Sequence, residues 1–471
     1  MEHYKLFIDG EFVEAASGEV FETLDPGTGV PFATVARAGR KDVEAAIQAA
    51  RRSFDSGVWS RLSPAARAER IYDFADQLNA QALRIAVTES QDAGHTIKLA
   101  KYWGMLGAGL LRNLGYYASR HFPWQEEIPY SGNVFAPARE WIRREPIGVC
   151  VGIVPWNFPA YMAVWKIAQA IIMGNSVVLK PATATPLTAL IIAEASRAAG
   201  IPPGVVNVVP GPGGELGKIL CTHPDVDKIA ITGSTEVGRD IMRMAADTVK
   251  KVTLELGGKS ANIILDDADI ELAVNGACFG TFFNQGQVCE SGTRVLVPAK
   301  IYDEFVDKMK KRAEQIRVGY QMLPDTHMGP INNAAQLATV EGYVKLGLEE
   351  GARLVTGGRR LALPGLEGGY YYAPTIFADV KNTMRIAQEE IFGPVVCVIK
   401  YESDEEAVAI ANDSIYGLGG GVFSRNNARA VRVAEQIRTG TVWINNYHIF
   451  ADFCPFGGYK QSGVGRELGA A

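Results

Sequence analysis

Between residues 149 and 265 the chain alternates short apolar runs with helix-like stretches, and this alternation constrains the fold more than any other feature. Residues 149–154, 176–179, 205–209, 228–231, 252–255 and 261–265 read as strands. The apolar, alanine-rich stretch 165–173 reads as a helix, and Thr185-Pro186 is expected to cap another that runs to Ala199 and stops at Gly200. Strands that alternate with helices pair in parallel, and ligands then gather at the carboxyl ends of the strands. A second α/β run fills 268–440, with helices expected near 302–316, 334–350, 403–412 and 427–438 and a strand following at 441–444.

The flanks are different. Leu6-Phe7-Ile8, the turn Asp9-Gly10 and Glu11-Phe12-Val13 predict a hairpin. Helical periodicity covers 43–54, then runs from Ser63-Pro64, an N-cap with proline at the first helical position, to about 88, and resumes over 97–119. Residues 121–149 break that pattern with turn-rich sequence and a strand-like 140–143, a surface hairpin or a subunit contact. A length of 471 residues allows two or three domains, and a net charge of −5 gives no basic footprint for nucleic acid. The six cysteines are widely spaced with no CxxC, which argues against a disulfide framework or structural zinc site and fits a cytoplasmic protein. The first residues lack the apolar core of a signal peptide, and no apolar run is long enough to span a membrane.

Several residues carry candidate chemistry. Cys289 lies among small and polar residues, from Phe283 to Arg294, where either a nucleophile or an inert thiol fits. Gly211-Pro212-Gly213-Gly214-Glu215-Leu216-Gly217 joins a strand to a helix, but its spacing departs from the usual dinucleotide fingerprint. Thr232-Gly233-Ser234 makes a second strand-to-helix loop that could hold a pyrophosphate at a helix start. Lys180 ends a strand, where it could reach ribose or phosphate oxygens or simply be solvated. Glu255 also ends a strand, placed as a general base or as a structural acid. Asn157 sits in Pro155-Trp156-Asn157-Phe158-Pro159, a rigid loop whose amide suits an oxyanion or a backbone contact.

Taken in order, Pro155-Trp156-Asn157-Phe158-Pro159, Lys180-Pro181-Ala182, Gly233-Ser234-Thr235, Glu255-Leu256-Gly257-Gly258-Lys259, Gly286-Gln287-Val288-Cys289, Glu390-Ile391-Phe392-Gly393-Pro394 and Pro455-Phe456-Gly457-Gly458 resemble the NAD(P)-dependent aldehyde dehydrogenase superfamily. The resemblance covers nearly the whole chain. It implies an α/β fold with a Rossmann-like cofactor domain (1–123 and 147–256), a small β oligomerisation arm (124–146), an α/β catalytic domain (257–445) and a C-terminal segment (446–471) closing the active site. It implies a Cys289 thiolate nucleophile, an oxyanion held by Asn157 and the Cys289 N–H, and Glu255 activating the water that hydrolyses a thioester. Trp156, Lys180, Gly213, Ser234, Glu390 and Phe392 match cofactor contacts. Phe158, Met162, Trp165, Phe450 and Phe456 match a substrate tunnel suited to aliphatic or aromatic aldehydes, and the Trp443–Pro455 loop, with Tyr447 and His448, is placed at its mouth.

Three features depart from the common pattern. NAD-preferring members commonly carry a glutamate where this chain has Thr183, so NADP is expected to be tolerated beside NAD. Glu290, next to Cys289, would disfavour acidic semialdehydes and favour cationic aminoaldehydes if it faces the tunnel. The chain also ends at Ala471, sooner than members commonly do, which leaves a homodimer or homotetramer open. A CoA-acylating semialdehyde dehydrogenase and a non-catalytic nucleotide-binding protein are the alternatives; Glu255 argues against the first, and intact Asn157, Glu255 and Cys289 argue against the second. No catalytic metal is implied.

Overall fold

The computed structural model describes residues 1–129 and 139–469. Part of the expected arm (130–138) and the last two residues lie outside the described residues.

Two α/β sheets organise the chain. The first has eight strands. Its parallel centre runs in the order Lys251–Glu255, Lys228–Thr232, Val149–Ile153, Ser176–Lys180 and Val206–Val208. The hairpin Leu6–Ile8 and Glu11–Val13 adds antiparallel strands to one edge. Its turn is the expected Asp9-Gly10, with φ of 54° and 83°, the left-handed pair such a hairpin needs. At the other edge the short strand Gly463–Val464 pairs antiparallel with Leu254 and Glu255, so the end of the chain returns to the first sheet. Val177 and Leu179 pack into one core and Val178 into another, because both faces of the sheet are covered. That is why the strand reads as an unbroken apolar run.

The second sheet has seven strands, in the order Arg353–Thr356, Thr375–Ala378, Val395–Tyr401, Arg294–Pro298, Ala261–Ile264, Gly419–Phe423 and Thr441–Ile444. All its pairs are parallel except the first. Between residues 120 and 149, Gln125–Ile128 pairs antiparallel with Glu140–Arg143 in a separate ribbon, which leaves Trp141 and Ile142 exposed. No helix among the described residues is long and apolar enough to cross a membrane.

Helix boundaries differ from expectation where side chains from far away decide them. Ser63 caps Pro64–Ala80 as expected, its hydroxyl accepting the Ala66 N–H at 3.2 Å. The helical pattern expected up to about 88 divides at Gln81 into Pro64–Ala80 and Ala82–Ala93. Thr185 does not cap Leu187–Ala198. Its hydroxyl points at the Trp156 carbonyl at 3.4 Å, and the carboxylate of Asp92 accepts the Leu187 N–H at 3.1 Å. A cap supplied from 95 residues away leaves no local mark in the sequence.

Candidate active site

The parallel order of the first sheet sets Glu255, Thr232 and Lys180 at the carboxyl ends of their strands, with the loop holding Asn157 leaving the strand between Thr232 and Lys180. Asn157 is 5 % exposed and held through both its side-chain amide nitrogen and its backbone carbonyl. Its Nδ2 donates to the Gln287 carbonyl at 2.9 Å, in the loop that carries Cys289. Its own carbonyl accepts from Asn284 Nδ2 at 3.0 Å and from His95 Nε2 at 2.7 Å. Trp103 donates its indole N–H to His95 Nδ1 at 2.9 Å, so His95 is the Nε2–H tautomer. Burial lowers its pKa to about 4, which keeps the ring neutral. Pro159 then starts the helix Pro159–Ile172 at its first position, where the missing N–H costs nothing.

The Cys289 loop is strained and cross-braced. Asn284 and Gln285 hold φ of 47° and 58°, a left-handed pair that side-chain-bearing residues rarely adopt. Gln285 Nε2 donates to the Gly94 carbonyl at 3.2 Å, and the Asn332 N–H donates to Gln287 Oε1 at 2.9 Å. A Cβ on Gly258 would collide with the Cys289 carbonyl oxygen, so only glycine lets the loop after Glu255 pass this close.

Cys289 is partly exposed, and its Sγ lies 3.1 Å from Glu290 Oε2 and within reach of Glu255. Burial, then the Glu255 and Glu290 carboxylates, push the thiol well above its ordinary value. That shift favours the thiol over the thiolate that the family resemblance implies for the attack, so a neighbouring base that takes the proton would assist it. Glu255 is 4 % exposed, and burial raises it to about 8 against the pull of Cys289 and Lys166. Its Oε1 has no partner.

Two cavities meet at these residues. The larger, about 660 Å³, is mostly apolar and is lined by Asn157, Glu255, Cys289, Phe158, Met162, Trp165, Glu290, Phe450 and Phe456. Tyr161, Phe283 and His448 also line it. The smaller, about 230 Å³, is lined by Trp156, Ser234, Glu390 and Phe392 together with Asn157, Thr232, Glu255 and Cys289. Trp156 and Phe392 meet edge to face at 5.2 Å, and Glu390 accepts the Gly258 N–H at 3.1 Å. Burial raises Glu390 to about 7. Lys180 and Gly213 do not line either cavity; a Cβ on Gly213 would stand 4.0 Å from Lys180 Nζ, so the two are neighbours. Lys180 is buried, lowered to about 8 by that burial, and donates to the Pro181 carbonyl at 2.8 Å. Thr183 donates its hydroxyl to the Gly211 carbonyl at 2.8 Å.

Sequence reasoning missed a buried pair under the site. Lys166 Nζ lies 2.7 and 2.8 Å from the two oxygens of Glu467, which also accepts the Trp165 indole N–H at 2.7 Å. The signal for Lys166 was present, since a lone lysine in an otherwise apolar helix must find a partner. Glu467, 301 residues on, had no such signal.

The profile of the aldehyde dehydrogenase family matches residues 12–471. The chain belongs to the aldehyde dehydrogenase family. It is 44% identical over 464 residues to betaine aldehyde dehydrogenase of Bacillus subtilis, covering 98% of this chain and 94% of that protein. Its fold superposes on betaine aldehyde dehydrogenase from Staphylococcus aureus in complex with NAD+ with a TM-score of 0.96 at 39% identity, covering 99% of this chain and 92% of that one. An aldehyde dehydrogenase from Bacillus cereus gives a TM-score of 0.95 at 44% identity, covering 100% and 94%.

Proposed function

We propose that this enzyme oxidises an aldehyde to its carboxylic acid with NAD or NADP, through a covalent adduct on Cys289. The observation that carries the reading is the convergence of Cys289, Glu255 and Asn157 where an apolar cavity meets a polar one. The dinucleotide fits the smaller space. Thr232 Oγ1 and Glu255 Oε1 are buried there without partners, and Ser234 caps the twelve-residue helix Thr235–Ala246, whose first N–H groups favour a phosphate. Trp156, Ser234, Glu390 and Phe392, with Lys180 and Gly213 behind them, would hold it. When bound, it accepts a hydride from the aldehyde carbon.

The residues of the chain divide the rest. Cys289 Sγ attacks the carbonyl carbon and forms the S–C bond while the thiol proton passes to a carboxylate. The Asn157 amide and the Cys289 N–H hold the oxygen that gains the electron pair, a contribution of roughly 10²–10³ in rate at comparable sites. After oxidation to the thioester, Glu255 takes a proton from water, whose oxygen displaces the sulfur and releases the acid.

The aromatic walls support aliphatic or aromatic aldehydes as substrates. The same rings suit a quaternary ammonium aldehyde through cation–π attraction, the second reading, in line with the name of the Bacillus subtilis relative. The exposed Trp141 and Ile142 support the ribbon as a contact between copies in a homodimer or homotetramer, measured by light scattering.

The test is a panel of aliphatic, aromatic and trimethylammonium aldehydes with NAD or NADP, with and without CoA, followed by product identification. Free acid formed without CoA is expected. Acyl-CoA formed only with CoA, or no product at all, overturns the reading.

A further inference from the structure

Glu290 is a second carboxylate on the reacting sulfur, and the reaction above assigns it no step. It is buried, with Oε2 3.1 Å from Cys289 Sγ and Oε1 2.9 Å from His448 Nδ1. The Nε2 of the same ring lies 3.2 Å from the Gly280 carbonyl, which can only accept, so Nε2 carries a hydrogen. One proton is therefore shared between Oε1 and Nδ1. The ring is held among Phe279, Phe283 and Tyr447, with centroids at 5.4, 5.2 and 4.9 Å, which fixes its orientation toward Glu290. His448 has a φ of 60°, a backbone conformation that costs energy and concentrates at functional sites. The Tyr447 hydroxyl donates to the Glu290 carbonyl at 3.0 Å and fixes that side of the pair.

We propose that Glu290 is the proton acceptor for the Cys289 thiol and that His448 is the positioning residue that makes it one. The inference rests on the covalent reading above. As the S–C bond forms, the S–H bond breaks and its proton moves to Glu290 Oε2; the S–H electron pair makes the new bond, and the carbonyl π pair goes to oxygen. His448 keeps its hydrogen bond to Oε1 throughout, which holds Oε2 toward the sulfur. When the thioester is hydrolysed, the departing sulfur takes the proton back from Oε2, while Glu255 has received the one from water. The two carboxylates thus serve the two halves of the cycle. The other charged groups near the trio are Lys166 and Glu467 behind Glu255 and Arg294 beyond Tyr447.

The experiment is alkylation of Cys289 by iodoacetamide followed against pH, with the first-turnover burst of reduced cofactor measured beside it. A Cys454→Ser background removes the exposed thiol. Glu290→Gln is expected to slow alkylation at pH 7 and to slow the burst by about 10²–10⁴-fold, the range for a general base. His448→Gln is expected to move both in the same direction by less. The sign is decisive. If Glu290 were only a repulsive neighbour, removing its charge would ease ionisation of the thiol and speed alkylation at pH 7. Faster or unchanged alkylation in Glu290→Gln overturns the proposal, as does a His448→Gln profile identical to that of the parent. Should Glu290→Gln fail to fold, Glu290→Asp takes its place and must slow alkylation at pH 7, with equal or faster rates overturning the proposal. A parent enzyme that turns over aldehyde but shows no adduct mass on Cys289 after rapid quenching refutes the covalent reading instead, while its alkylation profile still reports on Glu290.

Discussion

The two cavities that share Cys289 are built from different materials. The smaller is framed by strand ends and helix starts, Thr232, Ser234 and Glu255, whose places follow from the strand order of one sheet. The larger is walled by side chains from a helix, a loop and the end of the chain, Phe158, Trp165, Phe450 and Phe456. A framework of backbone ends suits a ligand that does not change, whereas interchangeable aromatic walls suit one that does. Mutations on the two sides should therefore separate cleanly, and the residues between them should not.

The largest effect belongs to the shared centre. Cys289→Ser is expected to cut turnover by about 10⁴–10⁶-fold, the scale for losing a nucleophile, while dinucleotide affinity measured by fluorescence titration stays within about twofold. A parallel loss of affinity would break the separation. Glu255→Gln is expected to slow hydrolysis by about 10²–10⁴-fold, so the burst of reduced cofactor persists while the steady rate after it falls. Because burial raises Glu255 to about 8, its basic form grows as pH rises. The steady rate should climb between pH 7 and 9 and level off above, and the Glu255→Gln enzyme should lose that rise. On the substrate side alone, Phe456→Ala is expected to weaken kcat/KM for apolar aldehydes by about 10–200-fold, with dinucleotide affinity unchanged.

The same contrast explains what the sequence made legible. Strand ends are readable because strand identity follows from apolar runs bounded by turns, and 228–231 and 252–255 ended within one residue of the observed Thr232 and Glu255. The site residues around them rested on ordered motifs rather than on periodicity. What stayed hidden was held across long sequence distances. His448 reaches Glu290 from 158 residues away, and Lys166 reaches Glu467 from 301. Asn157 is oriented by His95 from 62 residues before it. None of these pairs has a spacing rule, since tertiary packing alone brings them together. The upward shift of the Cys289 thiol was hidden in part for the same reason, because burial and Glu255 act on it through tertiary packing, although Glu290 stands beside it in the sequence.

The smallest expected effect tests whether the dinucleotide side is as uniform as its backbone framework suggests. Thr183 carries no charge, and its hydroxyl is satisfied by the Gly211 carbonyl at 2.8 Å, so it presents nothing that repels a phosphate on the adenosine ribose. Lys180, one strand end away, supplies a nearby cation. Thr183→Glu would place a carboxylate in that region, able to accept from two ribose hydroxyls but repelled by a 2′-phosphate. At an effective dielectric of about 20, like charges 4 Å apart repel by roughly 4 kcal/mol before salt screening, and an exposed position keeps only a fraction of that. The kcat/KM ratio of NADP to NAD is therefore expected to fall by about tenfold, equivalent to ~1.4 kcal/mol, with aldehyde KM unchanged. An unchanged ratio would mean that the adenosine end is read elsewhere. A shift in aldehyde KM would mean that the two cavities are not as separate as their construction implies.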